Sequence, residues 1–306
     1  MGRNSTLSAK GHQNLDCYER YLRNEVDLSE GTIRGYVGDV RLFMIWCEQS
    51  WTEGQETNQS FLPDGVATPT ITRYRNYLQH ELGREPATVN RYLTSLKRYF
   101  AWATDTEVIS RDPSRAVKLV KETARAPRHL SDQEEEALVA AVEAESNLRD
   151  RTLIILMLHA GLRVSEVCNL KHEHITFGQR SGYLKVWGKR NKYREVPLNV
   201  TIRKALQEYQ ASLPLEDGYL FLSQRTKDRL TPRAVRFIIK KYVKRAGISN
   251  LSPHDLRHRF GYRMAEQVPL HRLAQIMGHD SLDTTMIYIR GTQADLQQAV
   301  ETIAWE

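Results

Sequence analysis

Residues 278–288 read GHDSLDTTMIY. Gly278 and His279 close one segment. Ser281, Asp283 and Thr284 then supply the polar groups that the unpaired N–H donors of a helix start require, ahead of a short apolar run. This reading puts the Tyr288 hydroxyl on a short helix, with His279 nine residues earlier and free to fold back beside it. A hydroxyl presented in this way needs partners from elsewhere in the chain, and three basic segments upstream have that character.

The chain has 306 residues, more than one hydrophobic core usually spans, so two domains are expected. Its longest apolar run, Leu153–Leu162, is too short for a membrane span and carries His159, so it reads as a buried helix. Residues 1–13 lack a signal-peptide core and read as a flexible lead-in, which makes the cytoplasm the expected compartment. Cys17, Cys47 and Cys168 are odd in number and far apart, arguing against a disulfide framework or a cysteine zinc site. The net charge is +7. It is +1 over residues 1–127 and +6 over residues 128–306, so the surplus that would suit a polyanion lies in the second half.

Apolar residues at spacings of three and four predict helices over about 14–26 and 29–49. A polar loop over about 50–68 separates these from helices over about 69–82 and 87–103. The last, TVNRYLTSLKRYFAWA, sets Val89, Leu93, Leu96 and Phe100 in a buried stripe. Arg91, Ser95, Lys97 and Arg98 lie on other sides and suit phosphate contact. Residues 106–128 read as a basic interdomain linker, with Asp112-Pro113 as the break.

The second domain, 129–306, opens with a capping box at Ser131 and Glu134. After Leu170 the period changes. HITF, GYLKVWG and YREVPLNV alternate and predict a small antiparallel sheet, after which helices resume near Asn199. The fold class is therefore mostly α in two domains, four helices followed by a helical domain with a small antiparallel β-sheet.

The basic segments sit at junctions. Arg163 lies between the glycine that ends one helix and the start of the next, with Glu166 three residues on to brace it or another basic group. Lys189 lies at the tip of the predicted hairpin in WGKRNKYR, and Lys192 competes with it. In SPHDLRHRF, Ser252 caps, Pro253 suits the first helical position, and His254 and Arg257 share a face. A phosphodiester gathers charge on its non-bridging oxygens as a nucleophile arrives. Two guanidiniums can grip those oxygens, a lysine can protonate the departing oxygen, and a tyrosine with cationic neighbours can attack. Arg163, Lys189, His254, Arg257, His279 and Tyr288 fill every role without a metal. The rival is zinc, since HDLRH spaces His254 and His258 as a helical metal pair.

In order along the chain, GLRVSE, GKRNK, HDLRH and GHDSLDTTMIY resemble the motifs of the tyrosine recombinases, the integrase family of phages, transposons and Xer proteins. The resemblance covers residues from about 14 to 303. It implies an N-terminal four-helix SAM-like core-binding domain (14–105) and a C-terminal catalytic domain, clamping DNA from opposite sides. The implied catalytic set is Arg163, Lys189, His254, Arg257, His279 and Tyr288, supported by Glu166, with no metal and no cofactor. It further implies a 3′-phosphotyrosyl intermediate, a Holliday junction and a homotetramer on double-stranded DNA with paired inverted sites. Accessory proteins and an exchange helix over about 293–303 belong to the same pattern.

Arg190, Arg259 and Tyr262 stand where that family more often has small residues, and Ile289-Arg290 follow the tyrosine in place of the common Thr-His. These departures lean towards a mobile-element recombinase. The alternatives are an Xer-type chromosome or plasmid dimer resolvase, a type IB topoisomerase, and a DNA-binding regulator whose catalytic domain is dead.

Overall fold

The structure is a computed structural model that describes residues 6–52, 59–122, 128–188, 193–214, 218–279, 281–289 and 300–301. The chain divides into two compact units, Met1–Ala124 and Arg125–Glu306.

The first unit is helical: α1 (Ala9–Asn24), α2 (Glu30–Thr52), α3 (Thr68–Asn76) and α4 (Pro86–Asp105), with α3 running on into a π turn at Tyr77–Glu81. Helix α1 begins five residues before the expected Asn14, so the lead-in predicted as flexible over 1–13 is helical from Ala9. The reason is a cap. The Ser8 hydroxyl accepts from the Gly11 N–H at 3.1 Å and donates to Glu48 of α2, and Leu7 is buried. The core is rich in aromatic rings, with Tyr18, Phe43, Phe61, Tyr74, Tyr99 and Phe100 all closed to solvent. Much of the stretch expected as a linker also docks here. Lys97 donates to the Ser114 carbonyl at 2.7 Å, and Asn90 pairs with both backbone groups of Val120.

The second unit opens with α5 (Asp132–Glu143), whose capping box is the one expected: Ser131 Oγ accepts from the Glu134 N–H, and Glu134 accepts from the Ser131 N–H. Helix α6 (Leu148–Ala160) is buried on nearly all sides, as its unbroken apolar run demands. It ends at Gly161 in the left-handed conformation (φ 60°), and α7 (Val164–Cys168) follows at once.

Strands β1 (Ile175–Phe177), β2 (Gly182–Trp187) and β3 (Tyr193–Pro197) form an antiparallel sheet in that order, with Leu184 opposite Val196 and Val186 opposite Arg194. Then come α8 (Val200–Ala211), α9 (Pro232–Arg245), α10 (Pro253–Ala265), α11 (Leu270–Met277) and the one-turn α12 (Asp283–Met286). The main core runs from Leu130 to Leu256, and a separate small cluster holds Phe260, Leu273, Met277 and Tyr288.

Among the described residues no helix is long and apolar enough to cross a membrane.

Candidate active site

The site is assembled where the turn after α6, strand β3, helix α10 and the segment after α11 meet. Gly161 reverses the chain and leaves its carbonyl pointing out, and the buried Arg257 of α10 donates to it from Nη1. From Nη2 Arg257 donates to the Met277 carbonyl at the end of α11, at 2.7 Å. One guanidinium therefore ties α10 to both helix ends. Burial first, and then the neighbouring Arg163, lower its pKa to about 10, which still leaves it charged at neutral pH.

Arg163 sits at the start of α7 with its side chain 42% exposed. It donates to Glu166 at 3.0 Å and to the Gly278 carbonyl at 2.8 Å. Glu166 is the brace that the sequence suggested, but it holds more than Arg163. Arg194 of β3 grips it bidentately at 2.9 and 3.0 Å, and also donates from Nε to the Ile276 carbonyl at 2.8 Å. Burial alone would raise the Glu166 pKa. The bonds from Arg194 and Arg163 outweigh it, and the carboxyl titrates below its ordinary value.

Motif and spacing do not single out Arg194. A signal was nonetheless present, because on β3 it shares a face with the buried Val196, and a charge on an inward strand face needs a partner.

Gly278 takes the left-handed conformation (φ 64°) and ends α11. A Cβ there would lie 2.8 Å from the Arg194 guanidinium, so the missing side chain also makes room for that group. His279 follows, its Nδ1 2.7 Å from the Thr285 hydroxyl, and its ring lies nearly parallel to that of Tyr288 with centroids 6.4 Å apart. Burial and the three arginines pull its pKa down to about 4.

Tyr288 does not lie on the short helix expected from the sequence. Helix α12 stops at Met286, and Tyr288 comes two residues later, its N–H bonded to the Thr285 carbonyl at 3.1 Å. The ring is buried, edge-on to Tyr262, and its hydroxyl lies 3.0 Å from Nδ1 of His258. Burial raises the phenol pKa to about 12 in spite of the charges on Arg257 and Arg163.

His254 faces an open cleft of about 530 Å3 that is also lined by Arg163, Arg236, Ser252 and Arg257. Its ring stands 4.2 Å from that of His258. The helical histidine pair of the zinc reading thus exists, but no cluster of three or more potential metal ligands occurs among the described residues. His258 faces the phenol instead.

Arg163, Glu166, His254, Arg257, His279 and Tyr288 therefore converge on one place. Lys189 and Lys192 lie outside the described residues, and of residues 293–303 only Val300 and Glu301 are described.

The residues expected to touch DNA from α4 are used differently. Asp39 of α2 is buried, and Arg91 donates to both its oxygens at 2.5 and 2.6 Å. Ser95 is fully buried and donates to the same carboxylate at 2.8 Å, which takes it off the surface. A buried carboxylate must be paired, and this one consumes the hydroxyl and much of the arginine. Lys97 caps the Ser114 carbonyl, and Arg98 lies over the Tyr36 ring at 5.4 Å.

In the second unit, a face that the sequence motifs leave unmarked is basic and exposed: Arg233, Arg236, Lys240 and Lys244 recur along α9 beside the cleft. Their spacing of three and four is legible in the sequence.

Residues 128–294 match the model of the phage integrase family. The chain belongs to that family, the tyrosine recombinases. It is 34% identical over 279 residues to tyrosine recombinase XerD of Ralstonia nicotianae, covering 86% of this chain and 85% of that protein. It is also 34% identical over 217 residues to tyrosine recombinase XerA of Pyrococcus horikoshii, covering 70% and 72%.

Among solved structures, the fold resembles that of XerH recombinase bound to its difH substrate before cleavage (TM-score 0.71, 22% identity, 98% of this chain and 85% of that one). It also resembles the Tn1549 transposon integrase in complex with a circular-intermediate DNA (TM-score 0.74, 19% identity, 95% and 99%). As a tyrosine recombinase the chain is a DNA strand-breaking and rejoining enzyme.

Proposed function

We propose that this chain recombines duplex DNA at specific sites, with Tyr288 as the nucleophile that attacks the scissile phosphate. The observation that carries the reading is the convergence of two guanidiniums, two imidazoles and the Tyr288 phenol within one unit of the chain. Arg163 and Arg257 grip the non-bridging oxygens. Each guanidinium has five N–H donors, so anchoring through two leaves others for the phosphate. His254, on the cleft beside Arg163, contributes a further donor.

Tyr288 oxygen bonds to phosphorus, the 5′ oxygen departs with a proton supplied by Lys189, and a 3′-phosphotyrosyl link holds the bond's energy for rejoining. Two such rounds within a homotetramer on paired inverted sites pass through a Holliday junction, and accessory proteins would choose the direction. The exposed basic face of α9 tracks the phosphate backbone.

The biological role favoured by the departures at Arg190, Arg259, Tyr262 and Ile289-Arg290 is integration, excision or resolution of a mobile element. An Xer-type dimer resolvase is the second reading, favoured by the names of the curated relatives. Two of the four departures have structural employment here. Arg259 binds Glu135 and Asp132 of α5, and Tyr262 packs on Tyr288 and His129, so neither needs a mobile element to account for it.

The test is to trap covalent complexes on a library of nicked duplexes, with and without a chelator, and to sequence the attached DNA. The wild-type chain is expected to form adducts in both conditions at a defined sequence, while Tyr288→Phe binds the same DNA and forms none. Adducts from the Phe variant would reassign the nucleophile, and relaxation of supercoiled plasmid without recombinants would favour a topoisomerase.

A further inference from the structure

Among the described residues, two imidazoles, His258 and His279, lie against the Tyr288 phenol and a third, His254, stands against His258, and they are not equivalent. His279 engages Thr285 through Nδ1 and lies parallel to the phenol ring. His254 lines the cleft on the phosphate side. His258, one turn further along α10, has Nδ1 3.0 Å from the phenol oxygen and is itself buried. A phenol O–H is the better donor of that pair and an imidazole nitrogen the better acceptor. The bond therefore runs from Tyr288 to Nδ1, with the His258 proton on Nε2.

The phenol needs such an acceptor. Burial holds its pKa near 12, so unaided ionisation near pH 7 would leave very little phenolate to attack. The protonation state of His258 in the free site fits the role, and its weak basicity there is what the substrate has to offset. Burial first, and then His254 and Arg257, lower its pKa to about 4 against the pull of Asp255, so it is neutral with its lone pair free at working pH. His279, from the segment after α11, and the phenol itself also face it. An arriving phosphate brings negative charge to this cationic neighbourhood, which favours the imidazolium at the moment the proton moves.

We propose that His258 is a catalytic base, accepting the Tyr288 proton at Nδ1 as the phenol attacks and returning it when the strand is rejoined. The proposal rests on the reading of Tyr288 as nucleophile. In the forward step the Tyr288 O–H bond breaks and its proton passes to Nδ1. The Tyr288 oxygen bonds to phosphorus, and the P–O5′ bond breaks with its electron pair leaving on the 5′ oxygen, which takes its proton from Lys189. In the reverse step the 5′ hydroxyl attacks phosphorus and gives its proton back to Lys189, the bond from phosphorus to the Tyr288 oxygen breaks, and the departing phenolate recovers its proton from the His258 imidazolium. One imidazole thus serves both directions as base and then acid.

The test uses a nicked suicide duplex bearing the site recovered by trapping, made once with the ordinary 5′ oxygen and once with sulfur at that bridging position. A thiolate leaves without protonation, so sulfur relieves a defect in the acid and leaves a defect in the base untouched. Adduct formation is followed in single turnover at saturating full-length protein, comparing wild type, His258→Ala and His258→Asn. The Asn side chain puts an amide oxygen near the position of Nδ1, preserving the hydrogen bond without a usable base.

Both variants are expected to slow by about 100-fold or more on both substrates, the scale of general base catalysis, while binding DNA as the wild type does. The assignment is overturned if His258→Ala stays within about threefold of wild type, or if His258→Asn alone recovers the rate, since hydrogen bonding would then suffice. It is also overturned if the sulfur substrate restores the variants. A wild-type chain that forms no adduct on either duplex defeats the nucleophile reading itself, a result distinct from any ranking of the variants.

Discussion

The guanidinium side of the site and the phenol side are held by different means. Arg163, Arg194 and Arg257 are tied to Glu166 and to four backbone carbonyls, at Gly161, Ile276, Met277 and Gly278, which mark the ends of α6 and α11. Those bonds are charge-assisted and largely buried, and they tie the main core to the end of α11. Tyr288 belongs to a cluster of four buried residues, reached through the four-residue helix α12, where Met286 and the preceding Leu282 are exposed. A helix of one turn cannot sustain itself by backbone bonds alone and takes its position from what it packs on. The contrast fits the chemistry. Phosphate oxygens gain from donors that are fixed before the reaction, whereas the proposed nucleophile would have to carry a DNA strand and later release it.

The largest expected effect strikes the guanidinium side. Arg194→Met leaves the buried Glu166 carboxylate with Arg163 as its chief remaining partner, and removing one member of a buried pair costs about 3–5 kcal/mol. The thermal transition of the catalytic unit should fall by roughly 6–15 °C, and adduct formation should fall with it. Arg194→Lys keeps the charge but loses the two-pronged grip, and is expected to recover only part of both. A catalytic unit whose melting is unchanged by Arg194→Met would remove the distinction between the two sides.

A matched pair of glycines tests the contrast more closely. At Gly161 a Cβ would lie 2.3 Å from the Phe260 ring in a backbone conformation that already disfavours side chains (φ 60°). At Gly261 it would lie 2.4 Å from Cζ of Tyr288, the far end of a side chain on a weakly held segment. Gly161→Ala is therefore expected to cost about 2–4 kcal/mol, from strain and a clash with the buried ring of Phe260, which packs in the small cluster. Gly261→Ala should leave melting within about 2 °C of wild type while displacing the phenol from His258, slowing adduct formation about tenfold. Should Gly261→Ala instead melt early and cleave normally, the phenol side is the rigid one.

Much of this arrangement can be read from the sequence, because its elements are set by local signals. The α6 run, the Ser131–Glu134 box and the alternation of β2 and β3 each depend on neighbours a few residues apart. The polar groups of the site are likewise announced by motif and spacing. What escapes such reading depends on pairs distant in sequence. Arg194 and Glu166 are 28 residues apart and meet only because the hairpin folds beside α7. Arg91 and Ser95 look like a DNA face because Asp39, 52 residues before Arg91, is invisible to a helix-by-helix reading. The clue is Asp39 itself, an acid set beside the apolar stripe of α2 that has to find donors. His258 presents itself in the sequence only as half of a metal pair, since its partner in the fold lies 30 residues on.

The smallest effect concerns pH, and it probes the phenol side. His258 and His279 both titrate near 4 in the folded chain, well below the ordinary value of 6.5. As pH falls through 6.5 the unfolded chain takes up protons at these imidazoles before the folded chain does. Their contribution to stability is therefore complete above that value and is lost progressively towards pH 4. Glu166, also depressed, adds a further loss below its ordinary value of 4.5. The melting temperature of the catalytic unit should thus decline between pH 7 and pH 4.5, and His258→Asn, which removes one of the two imidazoles, should make that decline shallower by several degrees. An unchanged slope in the variant would mean that His258 titrates normally in the folded chain, and the packing that encloses the phenol would then be more open than the ring contacts with Tyr262 and His258 imply.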